Sequence, residues 1–280
     1  MKFTKKLVIL AVLTLIALPA FAGGSKDSED RLDTIKKAGK LVIGTSADYP
    51  PYEFHYVKDG KDIIGGFDMA IAAEIAKDMG VALEIKDMQF DGLLAALQAG
   101  AIDLVISGMS PTEERRKSVD FSSIYYYATH GAIIRKGEEA KYSTVEGLKS
   151  GKLSAQKGTI QVGIAKTQIL GMSEEEADRS IDVVKEVGSI KNLIMDLKNG
   201  NVDAIIAELP VAEAYVKANA ELALAAPTFT DDDGGSAIAV KRGNPALLDA
   251  VNAALDRLIK AKEIDRFFAE AQAIQEEQGL

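Results

Sequence analysis

Residues 93–108 (LLAALQAGAIDLVISG) and 193–208 (LIMDLKNGNVDAIIAE) lie one hundred positions apart and follow one plan. Each runs from an apolar helix end through a glycine to an acidic residue and a short apolar strand. Leu93/Leu193, Leu97/Leu197, Gly100/Gly200, Asp103/Asp203 and Ile106/Ile206 are identical pairs, and Leu94/Ile194, Ile102/Val202 and Val105/Ile205 are near-equivalent. A glycine directly after a helix takes the left-handed conformation that closes it. Strands as apolar as 104–106 and 204–206 are buried on both faces, as in a parallel sheet. One such unit in each half predicts two similar α/β lobes. Ligands of open α/β sheets collect beyond the carboxyl ends of the strands. Ser107, Gly108, Met109, Ser110 and, in the second half, Glu208 are therefore expected to look into the gap between lobes.

Lys2, Lys5 and Lys6 precede an apolar run at 7–18, and Ala20-Phe21-Ala22 follows it. This is the three-part pattern of a secretory signal cleaved after Ala22, and the run is too short to span a bilayer. No later stretch is apolar for long enough to be a membrane helix. The chain has no cysteine, so it has neither disulfides nor the thiol on which a bacterial lipid anchor is built. Free solution in a periplasm is the expected location. A formal net charge of −9 argues against nucleic acid and anionic membranes as partners. The length, 280 residues, suits one large or two medium domains, and 47% hydrophobic residues supply their cores.

Residues 23–30 (GGSKDSED) read as a mobile leader. A strand at 40–45, a turn at Pro50-Pro51, an amphipathic helix at 67–79 stopped by Gly80, a strand at 81–85 and a helix at 91–99 lead into the first repeat copy. Strand alternating with helix implies a mostly parallel sheet. Residues 125–134 (YYYATHGAII) are extended by composition and suit a crossing between lobes, and 227–235 (PTFTDDDGG) read as loop and return crossing. Ser143 and Glu146 have capping-box spacing ahead of a strand at 152–155. Asn244 is expected to cap a helix that starts on Pro245 and packs Leu247, Leu248, Val251, Leu255 and Leu258 on the first lobe. The expected organisation is a signal peptide (1–22), the leader (23–30), a first lobe (31–128 with 235–280) and a second lobe with the crossings (129–234). Two strand crossings between two lobes form the hinge of a closing clamp.

The sharpest local motif is Ser107-Gly-Met-Ser-Pro-Thr-Glu-Glu-Arg115. Ser110 as N-cap, Pro111 in the first turn and Glu113 three residues on signal a helix start, whose free N–H groups and dipole attract an anion. Arg115 is long enough to reach back and hold a carboxylate with two prongs. Gly158-Thr159-Ile160-Gln161 reads as a second helix start. Glu208 ends a buried strand, where a carboxylate needs a cation or water, and a ligand ammonium would satisfy it. Tyr49, Tyr52, Phe54 and Phe90 lie by turns near the same cleft and suit an apolar or guanidinium stem. The plainer readings stay open beside these: an exposed basic face at Arg115, Arg116 and Lys117, a surface carboxylate at Glu208, and core packing for each aromatic. The acidic run 231–233 lacks the spaced ligands of a calcium loop and reads as a solvated turn. No metal or cofactor is expected.

Six segments, 44–54 (GTSADYPPYEF), 65–81 (GGFDMAIAAEIAKDMGV), 90–122, 156–161 (QKGTIQ), 202–216 (VDAIIAELPVAEAYV) and 242–255 (RGNPALLDAVNAAL), resemble the polar amino-acid-binding proteins of bacterial ABC importers, the family 3 extracellular solute-binding proteins. The resemblance covers nearly the whole mature chain, in order. It implies an α/β, two-lobed periplasmic-binding-protein fold of type II. It implies that Arg115 clamps the ligand α-carboxylate with help from Ser110 and the backbone after Gly158, and that the Gly108 carbonyl and Glu208 receive the α-ammonium. Tyr49 and Phe90 would flank the side chain, and Ser107, Met109, Gln156, Thr159, Ile160 and Gln161 complete the expected ligand-binding set. Three positions depart from the family pattern: Glu208 stands where Asp is frequent, Ser46 where an acid is frequent, and Ile160 where Thr is common. Asp48, Glu53 and Gln161 are candidates to replace the acid missing at Ser46.

The expected function is the periplasmic substrate-binding component of an ABC importer. It captures an L-amino acid by hinge closure, arginine first and then lysine, glutamine or histidine, and delivers it to a membrane permease with its ATPase. A monomer is expected. The alternative is a periplasmic cyclohexadienyl-dehydratase-like enzyme on the same fold. The chain has no GxSxG elbow, no HExxH and no cysteine nucleophile, and only His55 and His130 are available as histidine bases.

Overall fold

In the computed structural model residues 30–231 and 234–279 are described. The expected signal peptide, the leader up to residue 29, and Asp232 and Asp233 of the acidic run lie outside the described residues. In chain order the strands are β1 (Lys40–Thr45), β2 (Asp48–Tyr49), β3 (Glu53–Lys58), β4 (Lys61–Gly65), β5 (Ala82–Asp87), β6 (Leu104–Val105), β7 (Val119–Phe121), β8 (His130–Arg135), β9 (Leu153–Gln156), β10 (Lys185–Val187), β11 (Ala204–Glu208), β12 (Leu222–Leu224) and β13 (Ala239–Lys241).

Two five-stranded sheets have the orders β5-β1-β6-β13-β7 and β10-β9-β11-β8-β12, and β2-β3-β4 form a small third sheet. In the first, β1 runs parallel to β5 and β6, while β13 runs antiparallel to β6 and β7. The second repeats this plan: β9 is parallel to β10 and β11, and β8 is antiparallel to β11 and β12. The repeat strands β6 and β11 are the centres of their sheets. The stretches that join the two sheets are bridged to each other at Tyr126/Ser236 and at His130/Phe229.

The identical aspartates of the repeat do identical work. Asp103 Oδ2 accepts from Val42 N at 2.8 Å and its Oδ1 from Arg31 Nε at 2.6 Å. Asp203 Oδ2 accepts from Lys152 N at 2.9 Å and its Oδ1 from Arg135 Nη2 at 2.7 Å. Each carboxylate ties the central strand to the start of the neighbouring parallel strand, with an arginine balancing its charge. Gly100 and Gly200 both sit at φ +75°, where a side chain would be strained.

Helix Phe67–Met79 buries Phe67, Ile71, Ala72, Ile75 and Met79 at helical spacing and closes on left-handed Gly80. Helix Pro245–Lys260 lays Leu247, Val251, Leu255 and Leu258 into the same core, and a helix absent from the sequence reading, Glu263–Gln278, adds Ile264 and Phe267. Two cap assignments shift. The helix Val145–Lys149 is capped by Thr144, whose extended backbone lets Oγ1 accept from Gly147 N, while Ser143 Oγ donates back to Ala140 O. Asn244 precedes its helix but does not cap it, because its Oδ1 accepts from Arg31 N; Ala246 N donates instead to Asp30 Oδ2 at 3.0 Å. The hairpin of β3 and β4 was also unforeseen.

Candidate functional site

Beyond the carboxyl ends of the central strands lies a narrow cavity. The first sheet's side contributes Ser46, Tyr49 and Glu53 from the β1–β3 region, Phe90, and then Ser107, Gly108, Ser110 and Arg115. Gln156 at the end of β9, with Thr159, Ile160 and Gln161, comes from the second. Ten of the twelve residues expected in the site thus meet around one cavity, drawn from both halves of the chain.

Arg115 spans it. Its Nη1 donates to Ser110 O at 2.7 Å and its Nη2 to Gly158 O at 2.9 Å, with the guanidinium 5.4 Å from the Phe90 ring centre. The short helix Glu113–Arg116 is capped by Thr112, whose Oγ1 accepts from Arg115 N at 3.3 Å. Ser110 therefore does not act as N-cap; Pro111 separates it from the first turn, and its carbonyl holds the guanidinium. Gly158 has φ +77°, and a Cβ there would lie 3.0 Å from Asp91 Cβ, so only glycine allows this close approach. Thr159 Oγ1 donates to Gln156 O at 2.7 Å, so no side chain caps helix Ile160–Ile164, and its first residues line the cavity.

Ser107 Oγ accepts from Ser46 N at 3.1 Å and donates to Glu53 Oε1 at 2.7 Å. Glu53 is fully buried, and its carboxyl is pushed well above the usual range, first by burial and then by the Asp68 charge. Asp68 is pushed up to about 6 by burial, although Gly108 N and Tyr125 OH both donate to its Oδ2 at 2.9 Å. Glu53 Oε2 and Asp68 Oδ1 have no partner among the described residues. Each carboxyl disfavours ionisation of the other, Glu53 being pushed further up by the Asp68 charge.

Met109 and Glu208 do not line the cavity. Met109 is 1% exposed, turned into the apolar cluster of Phe90, Leu93 and Val105 by the chain's alternation past β6. Glu208 is also buried: Tyr52 OH donates to its Oε2, and its own N–H donates to Tyr49 OH at 3.2 Å. Burial pushes its carboxyl up to about 8, with the Asp68 and Asp231 charges adding to the effect. Tyr52 and Phe54 are core residues rather than cavity walls. Asp231 belongs to no open turn, since its carboxylate meets buried His130. Sequence reading missed Asp68, whose signal was an acid on the apolar face of helix Phe67–Met79; Ser46 and Glu53, considered there only for the acid missing at Ser46, both line the cavity.

Residues 41–270 match the sequence profile of the bacterial extracellular solute-binding proteins, family 3. The chain belongs to this family. This family 3 protein is 36% identical over 265 residues to the arginine-binding extracellular protein ArtP of Bacillus subtilis, across 94% of this chain and 96% of that one. The crystal structure of the amino acid ABC transporter substrate-binding protein AbpA of Streptococcus pneumoniae, bound to L-arginine, is similar at TM-score 0.79 and 39% identity, over 87% of this chain and 98% of that chain. The ancestral amino-acid-binding protein AncCDT-1, a precursor of cyclohexadienyl dehydratase, is similar at TM-score 0.74 and 31% identity, over 86% and 98%. The fold is the two-lobed type II periplasmic-binding-protein fold. The chain is a solute-binding protein of the transport class and not an enzyme. Among the described residues no helix is long and apolar enough to cross a membrane.

Proposed function

We propose that this solute-binding protein is the receptor of an ABC importer for an L-amino acid with a cationic side chain, arginine first. The observation that carries the reading is Arg115 set across the cavity between the carbonyls of Ser110 and Gly158, over the face of Phe90. An α-carboxylate entering here takes over the guanidinium fork and the uncapped start of helix Ile160–Ile164. The α-ammonium goes to the Gly108 carbonyl and to Glu208, which exchanges its Tyr52 bond for an ion pair. The side chain lies between Tyr49 and Phe90, with its cationic end toward Ser46, Glu53, Gln156 and Gln161. ArtP and AbpA, named for or solved with arginine, support that ligand class.

Residues 31–128 with 235–280 form one lobe and 129–234 the other, swinging about the paired crossings. Residues 1–22 are removed on export to the periplasm, and the monomer in its closed form is what the permease and its ATPase recognise. Calorimetric titration of the ligand-stripped protein tests this with L-arginine and with agmatine, which lacks the carboxylate. L-arginine is expected to bind at least 100-fold more tightly. Equal affinity for agmatine would remove Arg115 from its role, and conversion of prephenate or arogenate without binding of any L-amino acid would replace the receptor reading with a dehydratase.

A further inference from the structure

His130 opens β8, where the two crossings meet, and is 1% exposed. Its Nε2 lies 3.2 Å from Asp231 Oδ2, and its Nδ1 lies 3.3 Å from Gln161 Nε2. The same amide nitrogen lies 3.3 Å from the Tyr49 hydroxyl. The Asp231 carboxylate only accepts, which places a ring proton on Nε2 and leaves Nδ1 of the neutral ring to accept from the Gln161 amide nitrogen. Burial alone would raise the Asp231 carboxyl, but its bonds to His130 and to the Gly234 and Gly235 N–H groups hold it below its ordinary value, so it is an acceptor. Glu208 is the register neighbour of His130 on β11, with its own carboxyl turned to Tyr52.

Both amide hydrogens of Gln161 are then engaged, one by His130 and one by Tyr49. Its Oε1 takes no hydrogen bond among the described residues, and Gln161 lines the cavity. We propose that His130, held in one tautomer by Asp231, is a positioning residue for ligand specificity: it locks the Gln161 amide with its oxygen toward the ligand. The pocket then offers an acceptor to a donor-bearing side chain such as a guanidinium. With the amide reversed, the same position offers donors and favours a side chain ending in a carbonyl. This rests on the amino-acid-receptor reading for its consequence, but the tautomer stands on the hinge geometry alone.

The chain has two histidines, so ring-nitrogen NMR of ¹⁵N-histidine-labelled protein at pH 7 resolves His130 from His55, which is half-buried. The expected result is a proton on Nε2 and none on Nδ1; a proton on Nδ1 overturns the proposal. The second arm compares L-arginine with L-citrulline, in which a carbonyl replaces part of the guanidinium. His130→Leu should reduce the preference for arginine at least tenfold, while His130→Asn, whose amide oxygen can accept from Gln161, keeps it within threefold. Equal preferences in both variants and in the parent overturn the specificity role. Failure of every L-amino acid to bind, with the Nε2 proton present, sinks the receptor reading and leaves the tautomer intact.

Discussion

Arg115 Nη2 donates to Gly158 O at 2.9 Å, so one guanidinium joins the helix that follows β6 to the turn that follows β9. On the proposed reading an incoming carboxylate takes over that bond, which would make Arg115 both a latch and a receptor group. Arg115→Ala is expected to weaken L-arginine binding at least 100-fold, or ~2.7 kcal/mol, because the carboxylate would be enclosed unpaired. Arg115→Lys should fall between, since an ammonium is a point charge without the planar fork. Calorimetry decides; a loss under threefold in the alanine variant would remove Arg115 from the site.

Glu208 sets a pH dependence of the unliganded protein. Its carboxyl is raised from an ordinary 4.5 to about 8 by burial. A carboxyl raised in the folded state stabilises the fold while it keeps its proton. That contribution is whole below the unfolded value and is lost as pH rises through about 8. Asp68, raised to about 6, adds to the lower part of the same window. The melting temperature of ligand-free protein should therefore fall across this interval. Glu208→Gln, which cannot ionise, should lessen the fall by at least ~1 kcal/mol, or ~2–4 °C for a chain of this size. Parallel pH profiles for parent and variant would contradict the assignment.

Asp48 caps a helix that is not its own. Its Oδ2 accepts from Ile190 N at 2.8 Å, and helix Ile190–Lys198 has no side-chain cap from Ser189. The helix belongs to the second sheet's side and Asp48 to the first, so on the proposed hinge-closing reading this contact belongs to the closed clamp. Asp48→Ala should cost about 1 kcal/mol of binding free energy, roughly fivefold in affinity, and Asp48→Asn should restore most of it. An alanine variant with parental affinity would show that the cap plays no part in closure.

The central strands were legible because their aspartates carry a tertiary role in a local pattern. Asp103 and Asp203 stand at fixed distances from Gly100 and Gly200, and each binds a backbone N–H of the next parallel strand. Asp103→Ala should lower stability by about 2–3 kcal/mol, leaving Arg31 and Val42 N without their acceptor, while arginine affinity at low temperature stays within twofold. A thermal melt beside a titration separates the two; lost affinity without lost stability would contradict a structural role.

Other features left no such mark. The caps at Thr112 and Thr144 were misplaced by one or two residues, because neighbouring Ser, Thr and Pro all satisfy the same local rule. Helix Glu263–Gln278 buries only a narrow stripe, which hid it among its charges. The bond from Asp48 to Ile190 joins residues 142 positions apart, and no spacing signals it. Whether Glu208 faces the cavity or lies under it depends on a rotamer and on Tyr52, since burial at a strand end is common to both outcomes.

The most direct measurement is thermal unfolding of the ligand-stripped protein, residues 23–280, against each common L-amino acid. Ligand at a hundred times its dissociation constant adds ~2.7 kcal/mol, a rise of several degrees at this size. A rise confined to arginine, or to arginine and lysine, is the predicted result; a melting temperature unmoved by every amino acid would contradict the receptor reading.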